Sequence, residues 1–297
     1  MLNLRLRRVL RDFFPSHKNS RDLHNPARET METFSEDSKY QDRIVAFVDV
    51  MGVKDRIVKS DKPQDFEMYT TILNMFANQP FAEGKLHISM FSDCMYIVAN
   101  KEHIDLVINL LANFSYRLLF NNFPLIIGNP DGSFISEDRF DCYKLRGGIT
   151  FGRVFSTDEE AQKKGAVLHT NALFGQGVVD AYTLESKFAV YPRIIVDDKF
   201  LTLMKEQEKT IADYYLRKDE SEKYYYIDFL DYMCAGKREN AERVLYGLDK
   251  CISFVSAELN KALSAGNARL SGQLLWYKQY LEAHQAIQVP SKEEKIK

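Results

Sequence analysis

Two short apolar runs, KLHISMF (85–91) and MYIVAN (95–100), are separated by only Ser92, Asp93 and Cys94. A connection that short joins neighbouring antiparallel strands, because parallel strands need a crossover of a dozen residues or more. Any fold of this chain therefore contains this hairpin, with an aspartate at its tip.

The segments around the hairpin extend the pattern. RIVAFVDV (43–50) reads as a strand with one carboxylate, Asp49, set into it ahead of Val50, Met51 and Gly52. Between it and the hairpin, Pro63 suits a first helical turn, and Phe66, Tyr69, Ile72, Leu73 and Phe76 recur at helical spacing, which predicts a helix over 63–78. A second helix is expected at 102–120, and KLRGGITFGRVF (144–155) alternates like a fourth strand. The order β-α-β-β-α-β is the split βαβ, ferredoxin-like plan of an α+β fold: an antiparallel palm-type sheet with flanking helices.

That plan has a chemical consequence. The third strand inserts between the first and second, and the fourth pairs with the free side of the first, so Asp49, Asp93 and Arg146 are expected on one rim of the sheet. Two carboxylates held close together are reconciled by a divalent cation, and hard oxygen ligands suit Mg²⁺ or Mn²⁺. Asp49, Val50 and Asp93 form the expected metal set. The Val50-Met51-Gly52 turn offers backbone groups to a triphosphate, and Arg146 offers charge-assisted bonds to its oxygens. A strand-end aspartate can also simply cap a turn, and Arg146 can serve as an ion-pair partner. Gly147, Gly148 and Gly152 read as turn or close-packing glycines. His87, His103 and His169 have no partners in the pattern, and Tyr224–Tyr226 reads as packing.

Composition narrows the classes. Basic and acidic residues nearly balance, 40 against 42, so no global field favours nucleic acid or an anionic membrane. Cys94, Cys142, Cys234 and Cys251 lie far apart without C-x-x-C pairs, which suggests neither a zinc site nor a disulfide framework and fits a reducing, cytoplasmic setting. No transmembrane segment is expected. The start, MLNLRLRRVLRDFF, interleaves arginines with apolar residues at helical spacing and is read as a short amphipathic helix, docked on its own domain or a partner or lying on a membrane surface, and not as a signal peptide. Residues 128–141 read as a polar surface loop, FAVYPRIIVD (188–197) as a further strand, and 199–217 and 239–285 as helical, with Gly266 and Asn267 dividing the last two long helices.

The quoted motifs, FVDVMG, SMFSDCMYIVA, LRGGITFGRV and LFGQGVVDAYTLES, resemble in their order those of the class III nucleotidyl cyclase family over about residues 43–198. Within it, the chain is most similar to the Pycsar pyrimidine cyclases of bacterial anti-phage defence, whose pattern DxxG…FSD…RGGI…G…AYxLE…PRI can be followed here. The expected organisation is a basic N-terminal helix and linker over 1–42, a cyclase catalytic domain over 43–200, which the resemblance implies, and a helical C-terminal extension over 201–297. It implies that Asp49 and Asp93 hold two divalent metal ions, that Arg146 binds the triphosphate, and that two chains pair head to tail. It further implies that UTP or CTP is converted to cUMP or cCMP, a messenger for a separate effector protein. Where adenylyl cyclases carry a lysine and an aspartate against adenine, this chain has Ser89 and Ala172; where they carry an asparagine and an arginine against the transition state, it has Val179 and Thr183. Arg193, in YPRII, is the candidate substitute. A nucleotide-binding regulator without turnover is the rival reading. A polymerase or diguanylate cyclase on the same plan would need a second substrate site or a GGDEF signature, and the hairpin here reads FSDC.

Overall fold

The computed structural model describes residues 40–53, 85–119, 125–128, 134–137, 142–156, 173–220, 222–234 and 238–288. The amphipathic N-terminal segment, the helix expected at 63–78 and Ala172 lie outside them. Strand β1 (Tyr40–Met51) runs antiparallel to β3 (Cys94–Ala99) on one side and to β6 (Lys144–Ser156) on the other, and β2 (Leu86–Phe91) closes the hairpin with β3. The expected placement of the third strand between the first and second, and of the fourth beside the first, is what the sheet contains.

β1 is apolar from Ile44 to Val48 because both its faces are covered there. Ile44, Ala46, Val48 and Val50 enter the larger core with Val107, Ile108, Leu111 and Phe114 of helix α1 (Ile104–Leu119). Val45 and Phe47 face the other side, against Val98, Val154 and Ala181. Full burial of each Val or Ile here is worth roughly 1.5–3 kcal/mol, so a one-residue slip of β1 would be ruinous and Asp49 is held in its register.

Helix α2 (Gln176–Thr183) follows the two-residue strand β7 (Leu173–Phe174) and runs into a π-helical turn, Leu184–Phe188. Gly175 between them has φ +139°, and a Cβ there would strike the Arg153 carbonyl, so the tight entry to α2 requires glycine. The long strand expected at 188–197 is shorter, Ile194–Val196 (β8), because the π turn consumes Phe188 and bends occupy Tyr191–Arg193. Part of the expected loop at 128–141 is instead paired: β4 (Leu125–Gly128) and β5 (Phe134–Glu137) form a separate antiparallel ribbon.

Beyond β8, which pairs parallel with β6, helix α3 (Asp198–Glu206) begins at Asp197, whose carboxylate caps it by accepting from Phe200 N at 2.9 Å. The helix expected over 199–217 ends early, and β9 (Leu216–Arg217) and β10 (Tyr225–Ile227) extend the sheet, giving the order β2-β3-β1-β6-β8-β10-β9. Helices α4 (Phe229–Cys234), α5 (Arg238–Ser264) and α6 (Ala268–Gln288) make up the C-terminal helical region, with α5 and α6 divided at Gly266 and Asn267 as expected. Asn267 Oδ1 accepts from Leu270 N at 3.1 Å and starts α6.

A buried ionic cluster fastens α6 to the sheet edge. Asp228, fully buried, is met by Arg217 Nε at 2.7 Å, His284 Nε2 at 2.9 Å and the Tyr280 hydroxyl at 2.8 Å. Arg217 also pairs with Asp231, which lies 3.4 Å from His284. Burial works against charging His284, but its bonds to Asp228 and Asp231 prevail and its pKa is pushed up to about 9. Among the described residues no helix is long and apolar enough to cross a membrane.

Candidate functional site

Asp49 lies opposite Cys94 on β3 and opposite Arg146 on β6, so the sheet register places all three side chains on one face. Asp93 joins them from the hairpin tip. Ser92 takes a left-handed conformation, φ 56°, that turns the chain within two residues, and the Asp93 carbonyl accepts from Val50 N at 3.0 Å, which ties the tip to the end of β1. Ligand atoms of Asp49, Asp93 and Cys94 all lie within 4.8 Å of one another. The convergence expected from topology is present.

Arg146 bridges two acids. Its Nη2 lies 3.3 Å from Asp49 Oδ2 and also pairs with Glu185 Oε1. Its Nε is buried with no hydrogen-bond acceptor among the described residues. Glu185, only 3% exposed, sits on the π turn beyond α2. Gly148 allows that approach: a Cβ there would run into Leu184 Cβ and lie 3.1 Å from Glu185 N, so the turn can rest on β6 only because residue 148 has no side chain.

Electrostatically the described residues of the rim carry more acids than bases. Burial raises the pKa of Asp49, with the Cys94 hydrogen bond and the Arg146 charge opposing it and Asp93 adding to it. Burial likewise raises Glu185, against the pull of Arg146. The Cys94 thiol is driven well above its ordinary range by burial and by the charge of Asp49. Among the described residues one guanidinium stands at this rim with three carboxylates, and a divalent cation between Asp49 and Asp93 would relieve the imbalance. The donor set fits such an ion: two carboxylates at a partly exposed rim, with room left on it for further oxygen ligands.

The other expected residues fall in different places. Val50 points its side chain into the main core, Met51 is half-buried, and Gly52 is exposed with φ 86° at the turn. Ser89 is half-buried on β2, opposite Tyr96, with its hydroxyl 2.8 Å from His87 Nε2. Val179 is 56% exposed, and Thr183 donates its hydroxyl back to Val179 O at 2.7 Å. Arg193 is not brought to the aspartates. Its guanidinium is taken by Asp219 at 2.6 Å and Glu222 at 3.2 Å, and it is enclosed by the rings of Tyr191, Tyr226 and Trp276, because bends at 191–193 turn it toward α6.

Glu185, which pairs with Arg146, is a residue of this rim that the sequence reading does not include. The available signal was the glycine pair in LRGGI, which marks where another segment must press onto the arginine strand.

No family model matches the chain, and no curated protein matches its sequence. Several solved structures are similar to it. The monomeric guanylyl cyclase domain of the RhoGC fusion protein from the aquatic fungus Blastocladiella emersonii is 14% identical, with 64% of this chain and 96% of that chain covered at a TM-score of 0.45. A bacterial light-regulated adenylyl cyclase is 16% identical, covering 64% and 92% at a TM-score of 0.42. The adenylyl cyclase CyaB from P. aeruginosa is 14% identical, covering 64% and 95% at 0.43.

Proposed function

We propose that this protein is a nucleotidyl cyclase that converts a pyrimidine nucleoside triphosphate, UTP in preference to CTP, to its 3′,5′-cyclic monophosphate and pyrophosphate. The observation that carries the reading is the meeting of Asp49 and Asp93, remote in sequence, at one rim beside Arg146. The four motifs quoted above supply the reaction type, and the product is assigned to a cyclic-nucleotide-activated effector in anti-phage defence.

In the reaction the ribose 3′-oxygen bonds to the α-phosphorus, the bond from that phosphorus to the bridging β-phosphate oxygen breaks, and the 3′-OH proton is released. Asp49 and Asp93 hold two divalent ions, Mg²⁺ or Mn²⁺. Such ions, when bound, lower the pKa of the attacking hydroxyl and offset charge on the departing pyrophosphate. Arg146 offsets part of the burial that raises the pKa of Asp49 and holds its carboxylate in place, and its guanidinium is assigned to the triphosphate oxygens. Ser89 on β2 stands where the resemblance places an adenine-reading lysine, so that contact to a purine is missing. Two chains pairing head to tail would cover the apolar side chains of Phe91, Phe174 and Tyr182, each more than half exposed.

The rival, a nucleotide-binding regulator without turnover, draws on one observation: Val179 carries no charge and the Thr183 hydroxyl is spent on its own helix. Incubating the purified protein with Mn²⁺ and each of the four NTPs separately decides between them. Cyclic product from UTP, absent in Asp49→Ala, is the expected result. Nucleotide retained without product in the wild type establishes the regulator instead.

A further inference from the structure

The segment from Glu185 to Arg193 is met along its length by one face of α6, on which Arg269, Gln273 and Trp276 fall at helical spacing. Gln273 Nε2 donates to Val190 O at 2.8 Å, and Trp276 stacks on Tyr191 with ring centroids 5.3 Å apart. Burial raises the pKa of Glu185, and the charges opposing it are Arg146 first and then Arg269, so this face of α6 extends to the Glu185 end of the segment. We propose that Gln273 is a positioning residue of the metal rim: by holding Val190 it fixes the π turn that presents Glu185 to Arg146, which makes the C-terminal helix α6 a working part of the site. The inference rests on the reading that Asp49 and Asp93 hold a cation.

Each link in this chain is a direct contact. Ala189 N closes the π turn by donating to Leu184 O at 2.9 Å, and Val190 N donates to Phe188 O at 2.9 Å, so a shift of residue 190 drags the turn with it. Glu185 on that turn pairs with Arg146 Nη2, the nitrogen that lies 3.3 Å from Asp49 Oδ2. At the far end Gly147 N donates to Arg193 O at 3.1 Å, so the two ends of the segment rest on neighbouring residues of β6 and Gln273 holds the stretch between them. Phe188 and Val190 are 42% and 47% exposed, which leaves side-chain burial little grip on the end of the turn, whereas Gln273 is only 6% exposed and its amide is itself held. Without that donor the exposed Val190 carbonyl turns to water, so the loss is felt in the placement of Glu185 more than in the stability of the fold. A loosened turn lets Arg146 settle on Asp49 alone and weakens the attraction for a cation.

Calorimetric titration of the full chain with Mn²⁺ tests the proposal without reference to turnover. Gln273→Met keeps the length of the side chain and removes its N–H donors, and Gln273→Ala is the second variant should the thioether disturb packing. The expected result is a Mn²⁺ affinity lower by roughly three- to ten-fold, at or below the lower end of the range for groups that orient a metal ligand, with a urea midpoint close to that of the wild type. Because Gln273 acts through Glu185, the double variant of Gln273→Met with Glu185→Gln is expected to bind Mn²⁺ within about two-fold of Glu185→Gln alone. Tyr280→Phe, which removes the hydroxyl bonded to Asp228 at 2.8 Å further along α6, controls for general loosening of that helix: its urea midpoint falls and its Mn²⁺ affinity stays within about two-fold of the wild type. Wild-type Mn²⁺ affinity in both Gln273 variants, losses that multiply in the double variant, or an equal loss in Tyr280→Phe overturns the proposal. If the wild type binds Mn²⁺ and Asp49→Ala abolishes it, the carboxylate site stands when this proposal falls; a wild type that binds no Mn²⁺ removes both.

Discussion

Arg146 Nη2 reaches Asp49 Oδ2 at 3.3 Å across one β1–β6 rung, and the same nitrogen pairs with Glu185. One positive charge is thereby shared by the half-buried Asp49 and the buried Glu185, and Asp93 adds a third acid at the same rim. The arrangement favours a cation at Asp49, and it makes Glu185, which has no described contact with Asp93 or Cys94, part of what sets the strength of that attraction.

Substituting Glu185→Gln leaves the shape of the turn but frees Arg146 to neutralise Asp49 alone. Mn²⁺ affinity is expected to fall roughly ten-fold, the lower end of the range for residues that orient a metal ligand. Isothermal calorimetry reads this directly, and an unchanged affinity would remove Glu185 from the site.

Gly148→Ala places a methyl group against Leu184 Cβ and the Glu185 backbone. Overpacking of this kind costs about 1–3 kcal/mol, visible as a lower urea midpoint. Because the displaced turn carries Glu185, Mn²⁺ affinity should drop as well; a destabilised protein that binds Mn²⁺ as before would separate the packing from the site.

Arg193→Lys keeps a charge but loses the fork between Asp219 and Glu222 and the stacking on Tyr191, Tyr226 and Trp276. A stability loss of roughly 2–4 kcal/mol is expected, with Mn²⁺ affinity unchanged. Denaturation and calorimetry on the same sample check both halves, and lost turnover with full stability would move Arg193 to the reaction centre.

His284 gives the fold a pH dependence of definite sign. Its ordinary pKa of 6.5 is raised to about 9 in the fold, so its stabilising charge is present in full below 6.5 and is lost as the pH climbs through about 9. At 1.36 kcal/mol per unit the loss is roughly 3 kcal/mol. The groups facing it are Asp228, Asp231 and Tyr280, with Arg217 on the same carboxylates. Thermal melts between neutral and strongly alkaline pH should show Tm falling more steeply in the wild type than in His284→Gln, and parallel curves would refute the assignment.

Much of this geometry could be read from the residues. The three-residue gap at Ser92–Cys94 forces the hairpin, and the apolar run of β1 fixes which strands flank it, so Asp49, Asp93 and Arg146 were placed together by connectivity alone. Elements whose existence depends on distant contacts were less accessible. β9 and β10 are two and three residues long and are held by pairing, not by any local alternation. Arg193 was misplaced because a strand was expected through 188–197, whereas the π turn and the bends before β8 rotate it toward Trp276. Ala172 and the helix expected at 63–78 lie outside the described residues.

The tie between Asp228 and His284 joins residues 56 apart in the chain. A chain emerging from the ribosome can assemble β1, β3 and β6 long before residue 284 is made, but Asp228 then has Arg217 without its imidazole partner. The β10 edge therefore draws its imidazole partner from a helix far along the chain, whereas β1 and β6, which bear Asp49 and Arg146, pair directly with each other.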